Sequence, residues 1–302
     1  MMKFEKNGMR SLLEQLPSSR LIHGDDHHAY RDPAVILRDG VFHLYMTLTE
    51  IEEDGQIYQY VAHTATADMR EFTPLRRLTV RDQRCNFSSP GNVILHEGRY
   101  KMCLQTYCRE NGEKYGNENC RIYLMESDNL LEWSEPQLIP VKGDTPVEEM
   151  GRMIDPYLIF DEATGLWNCF YKQNGISCSV SRDLKQFSYM GHMDGGENVS
   201  VLSTEEGYYM YHSPQNGIGV KFSTDLTNWK DTGELLLFGQ KEWEWAKGRV
   251  TAGAILPVMD GDAPLYLMFF HGSGPQDERV CFDKNASIGV AWSEDLIHWS
   301  WK

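Results

Sequence analysis

The pattern Ser/Thr, any residue, Asp/Asn, Leu/Met, two variable residues, then Trp/Phe occurs five times in this chain. The copies are TADMREF (66–72), SDNLLEW (127–133), SRDLKQF (181–187), STDLTNW (223–229) and SEDLIHW (293–299). A missed repeat misassigns a whole architecture, and five matches to a four-point pattern in 302 residues lie far beyond chance. The neighbours of each copy repeat as well. Upstream are alternating runs such as YVAHTA, RIYLME and GIGVKF, and before those come aromatic-rich runs such as GVFHLYMT, GLWNCFYK and PLYLMFFHG. Earlier still is a short apolar run: DPAVIL, PGNVIL, DPYLIF, ENVSVL and TAGAIL.

The unit is therefore four strands, A to D, with Gly-containing hairpin turns such as RDG and EEG. Four-stranded units in radial array make an all-β, five-bladed β-propeller. The repeat consumes the chain, so residues 1–302 are expected to form one domain. In the recurring element, Ser/Thr and Asp/Asn are suited to capping the turn between strands C and D, and the aromatic to filling space between blades. The fifth unit stops at HWSWK, where its strand D begins, and an uncovered strand edge is a liability. Part of residues 1–22 is the expected cover.

The formal charge of −15 argues against nucleic acid or an anionic membrane as partner, since both select basic surfaces. No segment has the apolar length of a signal peptide or a membrane span. Seven cysteines without a CxxC pair suit reduced thiols, hence the cytoplasm. A neutral ligand such as a sugar is compatible with all of this.

Strands A of a propeller line its central channel, and their first residues gather at one mouth. Alignment of the five A runs on their apolar pairs places Asp32, Pro90, Asp155, Glu197 and Thr251 at a common position. Three acids from three blades then converge on one axial pocket, where they repel one another unless a proton, cation or ligand intervenes. A pair of carboxylic acids across a glycosidic bond is the equipment of glycoside hydrolysis. The competing reading is three strand-start turn residues facing solvent. HGDDHHAYRDP (23–33) ends on this position. Its His23, His27 and His28 lack zinc-motif spacing and read as a solvated rim loop.

YRDPAVI, MIDPYLIFD and GGENVSVL, opening the first, third and fourth units, resemble glycoside hydrolase family 43 and its five-bladed relatives. The resemblance implies a catalytic pocket at the channel mouth and an inverting enzyme on arabinofuranosides, xylosides or galactosides. It implies Asp32 as general base, Asp155 as the residue that orients and tunes the acid, and Glu197 as general acid. Inversion places the Asp32 and Glu197 carboxyls about 6.5–9.5 Å apart, against about 5–5.5 Å for retention. Asn198 follows Glu197 where Gly is frequent in the family, and Arg31 replaces the Asn of the related fructosidases' Asn-Asp-Pro. A mannoside phosphorylase, a retaining fructosidase-like enzyme and a non-catalytic sugar-binding propeller stay open as alternatives. Arg31, Lys172 and Arg249 are the candidates for a phosphate subsite.

Strand B returns to the same mouth, and its ends supply Thr47, Gln105, Lys172, His212 and His271. The candidate sugar-binding residues are Arg31, Ser89, Asn92, Lys172, His212, Trp243 and Arg249. An aromatic-core role competes for Trp243 and its neighbour Trp245. No cofactor is required. The family resemblance implies a channel cation, often calcium, held through water near His271, with a buried structural histidine as the competing reading.

Overall fold

The computed structural model describes residues 3–6, 8–275 and 283–302. Strand β1 (Lys3–Phe4), helix α1 (Gly8–Glu14) and strand β2 (Arg20–Ile22) precede the first blade. Blade one is β3 (His28–Arg38), β4 (Val41–Ile51), β5 (Ile57–Thr66) and β6 (Arg76–Arg77). Blade two is β7 (Val93–His96), β8 (Arg99–Gln105), β9 (Ile122–Ser127) and β10 (Gln137–Leu138). Blade three is β11 (Ile154–Asp161), β12 (Leu166–Lys172), β13 (Ile176–Ser181) and β14 (Phe187–Met193). Blade four is β15 (Glu197–Ser203), β16 (Tyr208–Ser213), β17 (Ile218–Ser223) and β18 (Lys230–Leu236). Blade five takes β19 (Arg249–Asp260), β20 (Ala263–Ser273), β21 (Ser287–Ser293) and the short β22 (Trp299–Ser300). Each blade is an antiparallel meander, and the fold is the five-bladed propeller that the repeat predicts.

Neighbouring residues of one strand serve different blade interfaces, because side chains alternate across a strand. On β8, Met102 and Leu104 pack toward blade one with Ala34, Tyr45 and Val61. Cys103 between them packs toward blade three with Leu158, Cys169 and Tyr171. The blade four–five interface sets Leu202 and Tyr211 against Ile255, Met268 and Phe270. Between blades five and one, α1 adds Met9 and Leu13 to Phe42, Leu44, Leu267 and Phe269.

The repeated element builds the turn after strand C. In the third copy the Ser181 hydroxyl accepts the Leu184 N–H at 2.9 Å, and Asp183 Oδ1 accepts the Lys185 and Gln186 N–H groups, each at 2.9 Å. The residue after the Asp/Asn is left-handed in every copy, with φ +56° at Met69, +66° at Leu130, +59° at Leu184 and Leu226, and +65° at Leu296. The five aromatics Phe72, Trp133, Phe187, Trp229 and Trp299 each enter a different interblade cluster.

The outer edge of β21 is covered from two directions. β2 pairs antiparallel with it at Gly289 and Ile288, and β22 pairs with Trp292 and Ser293. Ser19 joins the two covers: its carbonyl accepts the Val290 N–H at 3.0 Å, and its hydroxyl accepts the Lys302 N–H at 2.8 Å. β1 runs parallel to the far end of β19.

Candidate active site

Every blade but the second carries a bulge near the start of its innermost strand. Arg31 faces Thr47 and Ala34 faces Tyr45, so Asp32 and Pro33 together oppose one residue. The same irregularity places Asp155 with Pro156, Asn198 with Val199, and Ala252 with Gly253. The first bulge residue is left-handed at Asp32 (φ +49°), Asp155 (+52°) and Asn198 (+55°), and Ser89 of blade two matches them at +44°. This corrects the sequence alignment by one position in three blades. Ser89, Asn198 and Ala252, not Pro90, Glu197 and Thr251, stand level with the two aspartates. Strands buried on both faces have no apolar–polar alternation to set their phase, so apolar pairs alone do not locate the bulge.

Glu197 still reaches the same space. Asp32, Asp155 and Glu197 line one cavity of about 250 Å³ together with Arg31, Tyr107, Tyr115, Arg152, Asn198, Arg249, His271 and Asp283. A larger groove adjoins it, lined by Lys172, Pro214, Gln215 and Asn216, and shares Glu197, Arg249 and Asp283 with it.

Both oxygens of Asp32 are held by protein donors. Asn198 Nδ2 donates to Oδ1 and Thr47 Oγ1 to Oδ2, each at 2.7 Å. Thr47 Oγ1 accepts the Ser89 N–H at 2.7 Å, and Ser89 Oγ donates to Asp155 Oδ1 at 2.8 Å. Ser89 thus couples the two aspartates. Gln105 Oε1 accepts the Asp155 backbone N–H. Asp155 is buried, and that burial, with the charges of Glu197 and Asp32, pushes its carboxyl up to about 7 against the pull of the Ser89 bond.

On the other side, Arg249 bridges two acids. Its guanidinium donates to Glu197 Oε1 at 2.5 Å and to Asp283 Oδ2 at 3.0 Å. Burial would raise the carboxyl of Asp283, but hydrogen bonding to His271 and the charges of Arg249 and Arg31 hold it well below the usual carboxylate range. Ser273 Oγ donates to Asp283 Oδ1 at 2.8 Å. His271 Nδ1 accepts the Asp32 N–H at 3.2 Å, which places the ring proton on Nε2, 3.4 Å from Asp283 Oδ2. A continuous chain therefore runs Glu197–Arg249–Asp283–His271–Asp32. The sequence reading missed Asp283, which sits in the β20–β21 loop with no counterpart in the other repeats. It also missed Tyr107, Tyr115 and Arg152, and it took Asn198 for a mere departure from family pattern.

The remaining sequence candidates divide by position. Arg31 lines the cavity, and its Nη2 donates to Thr49 at 3.1 Å. Lys172 lies in the adjoining groove. Asn92 ties blade two to blade three through the Leu158 backbone at 2.7 and 3.0 Å and lies outside the cavity lining. His212 is buried behind the site; its Nδ1 accepts the Gly196 N–H at 3.0 Å, fixing the turn into Glu197, and burial pushes the ring down to about 4. Trp243 belongs to the core, stacked on Trp245 at 5.1 Å and donating to the Lys302 carbonyl at 3.0 Å. In the opening loop, His27 and His28 are tied to Asp25.

A cation near His271 fits these residues poorly. Both ring nitrogens are engaged by protein, and the adjacent Asp283 is already matched by Arg249. Among the described residues no group of three or more His, Cys, Asp or Glu side chains is arranged to hold a metal ion, and no step below uses one.

The fold defines the class: this chain is a five-bladed β-propeller. No protein-family model and no curated sequence matches the chain. Solved structures do. A glycosyl hydrolase from Bacteroides ovatus superposes with a TM-score of 0.68 at 12% identity, over 98% of this chain and 94% of its own. A thermostable family-43 glycoside hydrolase gives 0.60 at 16% identity, over 91% and 93%. A protein from the GH130 family of mannoside phosphorylases, which contains glycoside hydrolases targeting β-1,2-mannosidic linkages in Candida mannan, gives 0.63 at 13% identity, over 87% and 84%. Among the described residues no helix is long and apolar enough to cross a membrane.

Proposed function

We propose that this protein is an inverting glycoside hydrolase that removes terminal sugars of the arabinofuranoside, xyloside or galactoside class from oligosaccharides. The observation that carries the reading is the convergence of Asp32, Asp155 and Glu197, from three blades, on one cavity. Asp32 acts as general base. Its two oxygens are aimed by Asn198 and Thr47, and its side chain remains 16% exposed to accept a proton from water. Glu197 acts as general acid. It is 28% exposed and lines both the cavity and the groove, which suits a bond whose sugar sits in one and leaving group in the other. Arg249 keeps Asp283 as a partner, so a proton on Glu197 does not strand the guanidinium. Asp155 is linked to Asp32 through Ser89 and Thr47. The glycoside hydrolases among the structural neighbours support this reading.

Phosphorolysis is the second reading, favoured by Arg31, Arg152 and Arg249 lining the same cavity. A panel of nitrophenyl glycosides, assayed with and without phosphate, separates the two. Hydrolysis releases free sugar at the same rate in both buffers, with the opposite anomer formed first by NMR. Sugar phosphate appearing only with phosphate selects the second reading, and a retained anomer removes the inverting mechanism.

A further inference from the structure

Arg152 stands out among the arginines of the cavity. Arg249 is matched by Glu197 and Asp283, whereas Arg152 pairs with no carboxylate among the described residues. Its Nε donates to the Gly116 carbonyl at 2.9 Å, and its guanidinium carbon lies 5.6 Å from the centroid of the Tyr107 ring. The two Nη groups make no hydrogen bond among the described residues. A half-buried guanidinium loses hydration, and among the described residues no hydrogen bond offsets that loss at its two Nη groups.

The position is held from several sides. Gln173 Nε2 donates to the Met150 and Arg152 carbonyls at 2.9 and 3.1 Å, and Arg121 donates to the Gly151 carbonyl at 2.8 Å. The Arg152 N–H reaches Glu118 at 3.3 Å. A guanidinium fixed by its backbone and Nε, on a residue that lines the cavity and with its two Nη groups making no hydrogen bond among the described residues, is suited to receive two oxygens of one anion. Of the cavity's own acids, Glu197 and Asp283 share Arg249, and Asp155 is bound by Ser89.

We propose that Arg152 receives an oxyanion of the substrate: the carboxylate of a uronate-type sugar, or the free phosphate of a phosphorolytic reaction. The inference rests on the cavity being a sugar site, as argued above. With phosphate, the bond from the anomeric carbon to the leaving oxygen breaks and a phosphate oxygen bonds to that carbon. The Glu197 proton passes to the leaving oxygen.

Isothermal titration of the wild type, Arg152→Met and Arg152→Lys with galacturonate, galactose and inorganic phosphate tests this without requiring turnover. The wild type should bind galacturonate or phosphate about ten- to hundredfold more tightly than galactose. Arg152→Met should lose that preference and Arg152→Lys keep part of it. A wild type without preference for either anion overturns the proposal, as does a preference that survives in Arg152→Met. Phosphate-only binding lost in Arg152→Met supports the site and points to phosphorolysis. Arginine-dependent anion binding in a chain that turns over no glycoside upholds this site and sinks the hydrolase reading. Turnover of neutral glycosides with no anion preference does the reverse.

Discussion

Asp155 is the one acid of the three that the fold has taken out of water, and its burial has a consequence for stability. In the folded protein its carboxyl sits at about 7, above the ordinary aspartate value of 3.8. Below about pH 3 both folded and unfolded states hold the proton, and the group costs nothing. As pH rises toward 7 the unfolded chain ionises first, so stability falls, by an amount on the order of a few kcal/mol, and then levels off. Asp155→Asn keeps an acceptor for Ser89 and removes the titration. Its melting temperature relative to wild type should climb between pH 4 and 7 and then plateau; a pH-independent difference would contradict the buried carboxyl. The first and third strand-start acids were legible in the sequence because Asp-Pro marks the bulge itself. Asp283 was not, since a loop residue without a repeat partner carries no positional signal. Arg152 lies three residues before Asp155 and belongs to no repeated pattern.

The strand C–D turn was readable down to its chemistry, because its Ser/Thr and Asp/Asn acceptors recur with fixed spacing. Its left-handed Leu/Met was not, since leucine pays for positive φ and gives no compositional hint of it. Leu184 has φ +59° and is buried among Trp167, Tyr171 and Phe187. Leu184→Ala should cost about 2–5 kcal/mol in chemical denaturation. Elsewhere in regular structure glycine is less stable than alanine by about 0.5–1 kcal/mol, but here the order should invert, with Leu184→Gly more stable than Leu184→Ala. An ordinary alanine-over-glycine order would refute the strained turn. The innermost strands show the opposite limit. Their existence was clear from apolar runs, yet their register was off by one in three blades, because burial on both faces erases the period-2 phase.

At the scale of the whole molecule, five unequal repeats form one ring, and the ring sets acids from blades one, three and four around one cavity. Closure depends on segments outside the repeat, which is why sequence pattern located the problem at HWSWK but not the register of its solution. β2 and β22 split the edge of β21 between them, clasped at Ser19. Removing residues 1–22 strips β2 and also α1, whose Met9 and Leu13 fill the seam between blades five and one. The truncated chain should melt at a lower temperature and associate through the bared strand edge in analytical ultracentrifugation. An equally stable monomer would show that the clasp is dispensable. The central claim concerns Asp32 and Glu197, and paired leaving-group kinetics test it most directly. On the best glycoside found, Glu197→Gln should lower turnover about 10²- to 10⁴-fold for poor leaving groups and spare good ones, which need little protonation. Asp32→Asn should abolish both, because no leaving group replaces an activated water. Near-normal activity of Asp32→Asn on every cleaved glycoside would contradict the account.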